Sequence, residues 1–158
     1  MANTQAMCTS FMNDLLTGQH NFGTGVIRAA TTADTFKAAL YLASATVNAS
    51  TTAYSATNEV SGAGYTAGGV SVGSWNAPTG TNASATAGVA FTTPSASLTF
   101  SSVTLTTAFD AVLIYNNTQS NKAVSVHTFG SQTVTAGTFT LTMPSNTTTA
   151  ALLRLSTT

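Results

Sequence analysis

From Asp34 to the end of the chain, apolar residues come in short runs, and Gly, Asn, Ser or Pro closes each one. That punctuation constrains the fold more than any single residue does. A helix needs a long uninterrupted stripe, whereas a strand is complete within a few residues. The segment "TFKAALYLA" sets Phe36, Ala38, Leu40 and Leu42 on one face and Lys37, Ala39 and Tyr41 on the other, the period of two of a strand. Further strands are expected near Tyr65, at Val70–Val72, through "SLTFSSVTLTTAF", and at Ala111–Tyr115, Ala123–Thr128, Thr138–Met143 and the closing "ALLRL". The alternation breaks at Ser101–Ser102, where a turn or bulge is expected. "NAPTGTNASATAG" reads as a loop, since Pro78 and Gly80 argue against a central strand. Val112–Leu113–Ile114 has no polar interruption and is expected to be the most buried strand. In "FTLTM", Phe139, Leu141 and Met143 turn inward while Thr140 and Thr142 turn out. Short strands at this spacing predict an all-β fold, an antiparallel β-sandwich of immunoglobulin-like or jelly-roll-like type.

The N-terminal segment has a different period. In "NTQAMCTSFMNDLLTG", Met7, Cys8, Phe11, Met12, Leu15 and Leu16 form the stripe of a short amphipathic helix. Asn3 is placed to cap its start and Gly18 to stop it. The chain therefore divides into a helical arm (1–18), a connector (19–33) and a sandwich domain (34–158). A helix this short must pack on something. It covers either its own domain or another chain, and in the second case Met7, Phe11, Met12, Leu15 and Leu16 are the docking residues.

Composition enters where function is concerned. Charged residues are 5% of the chain, with net charge zero, against roughly a quarter in an average soluble protein. No basic patch is available to steer a specific nucleic acid or an anionic surface, and no run is long enough to span a membrane. Such a surface fits burial against other protein, in a homo-oligomer or on a partner. Cys8 is the only cysteine, so no intrachain disulfide or thiolate cluster forms, and it reads as a small buried residue. No basic-then-apolar leader opens the sequence, and synthesis in a cytosol is expected.

The stretch "DAVLIYNNTQSNKAVSVHTFG" raises the question of chemistry, because it holds Asp110, Lys122 and His127. Paired as a hairpin, it puts Asp110 and His127 at one end and Lys122 at the other. Ser125 and Ser131 are available as nucleophiles, but no Gly-x-Ser-x-Gly elbow frames them. His20 and His127 stand apart from each other and from any carboxylate cluster. Gly62-x-Gly64 lacks the setting of a phosphate loop. No catalytic, cofactor-binding or metal-binding residue is expected. Trp75, with Tyr54 and Tyr65, forms either a contact platform for carbohydrate or protein, or part of the core, with the core preferred.

Several stretches taken together resemble a group of small virion proteins of tailed bacteriophages. They are Leu40-Tyr41, Thr51–Tyr54, Asn58–Gly69 ("NEVSGAGYTAGG"), Ala111–Asn116, Asn121–Gly130 and the closing Arg154-Leu155. The resemblance covers residues 36 to 155, and its motifs are turns and strand cores. It implies a structural protein of the virion, assembled in the host cytoplasm. The specific expectation is a capsid decoration or cement protein whose partner is the major capsid protein or another virion protein. A neck, tail or fibre component and a host-surface carbohydrate-binding module are the alternatives.

Overall fold

A computed structural model describes residues 3–8, 11, 15, 20, 22, 33–84 and 87–156. The strands are β1 (Ala6–Met7), β2 (Phe36–Leu42), β3 (Val70–Ser71), β4 (Thr79–Ser84), β5 (Ala87–Thr92), β6 (Leu98–Asn116), β7 (Lys122–Leu141) and β8 (Leu153–Ser156). They make two antiparallel sheets, one of five strands in the order β1-β7-β6-β2-β3 and one of three in the order β4-β5-β8. The fold is the all-β, sandwich-like architecture that the punctuation predicts.

The centre of the larger sheet is its most apolar part. Val112, Leu113 and Ile114 of β6 are fully buried, as are Ala38, Ala39 and Leu40 of β2. Both strands have neighbours on either side and cover on both faces, which is why they read as continuous apolar runs. Their register sets Lys37, Ala39 and Tyr41 beside Tyr115, Leu113 and Ala111. The opposite face carries Phe36, Ala38 and Leu40, and there Phe36 packs on Phe22 and Trp75 at ring-centroid distances of 4.7 and 5.3 Å.

Four segments expected as separate strands are two. β6 runs for 19 residues and β7 for 20, and the breaks between apolar runs are bulges inside them. Ser102 has φ 54° and the pairing slips between Phe100 and Val103, so the irregularity expected at Ser101–Ser102 is a bulge. A second departure sits at Ala136, with φ 44°. Together the shifts bend the hairpin onto itself. Phe129 and Phe139 lie on one strand yet their rings are 5.2 Å apart, and Phe139 also meets Phe109 at 5.1 Å. A straight strand would hold positions 129 and 139 about 33 Å apart.

The segment expected as a loop around Pro78 and Gly80 is β4. It is the outermost strand of its sheet, where a preceding proline and an internal glycine do least harm. No strand forms at Tyr65.

The N-terminal stripe is not a free arm. Ala6 and Met7 pair with Val126 and Ser125 of β7, Cys8 is fully buried, and Phe11 is 2% exposed within the common core. Asn3 caps no helix. Its amide donates to Leu42 O and to Asp110 Oδ1, and its Oδ1 accepts from Val47 N–H. Phe11 and Leu15 have helical backbone; residues 9, 10, 12–14 and 16–18 of the expected helix lie outside the described residues.

Candidate functional site

The hairpin forms, and it sets Lys122 at the opposite end from Asp110 and His127, as expected. Lys122 pairs with Asn116 and His127 with Val112. Asp110 is bound to Asn3 rather than to His127. His127 Nε2 instead meets Ser125 Oγ at 2.8 Å. Burial pulls His127 down from 6.5 to about 4, because a charged imidazole loses its hydration there. It is therefore neutral at neutral pH. Ser125, its partner, is 2% exposed. His127 lines a cavity of about 390 Å³ with Gln5, Pro144 and Arg154, and Arg154 Nη1 donates to the carbonyls of Thr148 and Thr149 at 3.3 and 2.7 Å.

The strongest polar constellation lies elsewhere. Glu59, the only glutamate of the chain, is 9% exposed. It accepts from Tyr54 Oη at 2.7 Å, Tyr65 Oη at 2.7 Å and Gly68 N–H at 2.8 Å. Tyr115 Oη donates to Gly68 O at 2.8 Å, and Tyr41 Oη donates to Ser55 O. All four tyrosines thus converge on one turn segment. Burial pushes Tyr41 and Tyr115 up to about 12. Tyr54 and Tyr65 are pushed higher by burial and then by their bonds to Glu59. These phenols are acids held neutral, and their arrangement fastens a loop.

What it fastens is the edge of β2. Val70 and Ser71 pair with Ala38 and Lys37, while Val60 N–H and Leu42 N–H bond Leu40 O and Asn58 O. Leu40 N–H, the donor between these contacts, is taken by Tyr65 Oη at 3.0 Å. Close approach explains the glycines. A Cβ on Gly69 (φ +72°) would stand 1.8 Å from Ala38 O, and one on Gly62 would stand 2.0 Å from Thr104 O. "NEVSGAGYTAGG" is a strap along a sheet edge. Its spacing displays glycines, but the partnership of Glu59 with Tyr54 and Tyr65, and of Tyr115 with Gly68, has no signature in sequence.

A second buried polar group joins the start of the fold to its centre. Asn116 Nδ2 donates to Asp34 Oδ2 at 2.8 Å and lies 3.0 Å from His20 Nδ1. His20 packs against Phe11 at 4.9 Å between ring centroids.

Three of the five expected docking residues lie among the described residues. Met7 is in β1, Phe11 is enclosed, and Leu15 is packed against the core; Met12 and Leu16 lie outside the described residues. Of the two coverings expected for the stripe, Phe11 and Leu15 take that of their own domain. Cys8 is likewise enclosed, its thiol raised to about 11 by burial, the behaviour of an inert cysteine. Trp75 packs edge-on against Phe22 and Phe36, as expected of a core residue. Phe11, Phe22, Phe91 and Leu155 line an apolar cavity of about 200 Å³.

Among the described residues, no three His, Cys, Asp or Glu side chains gather as a metal set, and no helix is long and apolar enough to cross a membrane. Protein-family models, curated proteins and solved structures give no match to the chain.

Proposed function

We propose that this chain is a structural protein of a tailed-bacteriophage particle, a decoration or cement subunit that seats on the major capsid protein shell. One observation carries the reading. From Thr128 to Leu153, and again from Phe91 to Phe109, no side chain is charged, and many of these residues are exposed on the bent hairpin. A broad uncharged β surface is poorly suited to staying apart in solution and well suited to packing among protein neighbours. The resemblance supports the same reading, because the residues that carry it, Asn58–Gly69 and Ala111–Asn116, serve here as a strap and as the central strand. The docking surface is assigned to the hairpin and not to the N-terminal stripe.

Counting copies per purified particle by quantitative mass spectrometry, with the density located by cryo-electron microscopy, tests this. On the order of hundreds of copies spread over the shell is expected of a subunit repeated by capsid symmetry. A few copies confined to one vertex would transfer the protein to the neck, tail or fibre. Absence from particles would end the structural reading.

A further inference from the structure

Every long sheet offers two edges of unpaired N–H and C=O groups, and folded proteins defend them with charge, proline, bulges, short strands or a covering segment. Most edges of this protein are defended. The strap of residues 58–72 covers β2, and β3 beyond it is two residues long. β4 follows Pro78 and is broken by a register shift between Asn82 and Ser84. β8 is four residues long and carries Arg154.

β7 is treated unevenly. Its first part is covered: Ala53 bridges Lys122, Cys8 N–H bonds Val124 O, and Ala6 pairs with Val126. Beyond Val126, among the described residues, β6 lies on one side and no strand on the other. The bulge at Ala136 interrupts this open edge, but the run after it is regular. Leu141, Thr140 and Phe139 pair with Leu98, Thr99 and Phe100 without a shift. Thr138 and Thr140 are exposed and Phe139 and Leu141 half-buried. No charge and no proline guards Gly137–Leu141.

We infer that Gly137–Leu141 is a self-association edge, on which a second copy of this chain adds the same strand antiparallel about a two-fold axis at Phe139. That register sets Thr138 opposite the second copy's Thr140 and Phe139 opposite its own equivalent. Both are favourable cross-strand pairs, and the result is a continuous sheet through both copies. The occupant follows from the residues. An edge that alternates threonine with apolar side chains and bears no charge is its own complement, as an isologous contact requires. A charged foreign strand would find no counter-charge there. The inference does not depend on the phage reading and stands or falls by itself.

Sedimentation velocity over a concentration series, with hydrogen exchange read on the amides of residues 137–141, tests it. The full chain is expected to dimerise, with those amides gaining protection as dimer forms. The double variant T138K/T140K brings four like charges together at the contact and is expected to raise the dimer dissociation constant at least roughly tenfold. The isosteric T138V/T140V should still associate. A56K/T57K adds the same charge in an exposed turn remote in sequence and should behave as wild type. A chain that is monomeric at every concentration, or a lysine variant that dimerises as wild type does, overturns the inference.

Discussion

Glu59 shows how one residue can hold a loop that contains little apolar material. Its carboxylate accepts three hydrogen bonds, from Tyr54, Tyr65 and Gly68. Glu59→Ala leaves those donors without their acceptor beside a sheet edge, and the expected loss is ~3–5 kcal/mol of unfolding free energy in denaturant titration. Glu59→Gln keeps one carbonyl acceptor and should lose less. Gly69 in the strap and Gly73 just beyond it are glycines of two kinds. Gly69→Ala combines φ +72° with a contact 1.8 Å from Ala38 O, and should cost more than ~3 kcal/mol by detaching β3. Gly73 has φ +59° and nothing within 4 Å of an added Cβ, so Gly73→Ala should cost only the left-handed backbone penalty, ~1 kcal/mol. Equal thermal shifts for the two variants would contradict this account of close approach.

The elements depart from expectation where local period and tertiary demand pull apart. The N-terminal stripe has helical spacing, yet Ala6–Met7 joins the five-stranded sheet, because an edge of β7 offers hydrogen bonds and the core offers Phe11 a place. Phe11→Ala is therefore expected to lower stability by ~3–5 kcal/mol in chemical denaturation; a side chain on a free docking arm would leave it unchanged. β6 and β7 are a comparable case. Bulges at Ser102 and Ala136 break the alternation in sequence without ending the strands. Pattern reading divides the ribbon at Asp110 and between Thr128 and Thr138, and pairing keeps it whole. The bulge at Ser101–Ser102 was legible because two apolar pairs fall out of phase across it. The bend that brings Phe129 onto Phe139 was not, since no local rule relates residues so far apart.

For the molecule as a whole, scarce charge places its pH response in a few buried groups. His127 is held at about 4 against an ordinary 6.5. Between those values the unfolded chain takes up a proton that the folded one refuses. Its contribution is complete above 6.5 and declines as pH falls toward 4, by up to ~3 kcal/mol. His127→Gln should flatten that part of the stability–pH curve, measured by urea unfolding at successive pH values. The tyrosines act at the other end. Tyr41 and Tyr115 are raised to about 12 from 10, so their contribution is intact below 10 and is lost as pH rises through the folded values. Phenolate absorbance is expected to appear together with loss of the β circular-dichroism signal, well above the ordinary range for tyrosine. A gradual rise in native protein would show the phenols to be open to solvent.

The sequence by itself determined the class of fold, because the period of the apolar residues and the residues that interrupt them are local properties. Val112–Leu113–Ile114 declares a central strand, and Cys8 alone excludes an internal disulfide. Tertiary structure decided which polar groups meet: Asp110 goes to Asn3, His127 to Ser125, Tyr54 and Tyr65 to Glu59, Tyr115 to Gly68 and Tyr41 to Ser55. These partners lie up to 107 positions apart. Hydrogen bonding depends on distance and direction in space, which the order of residues along a chain does not encode.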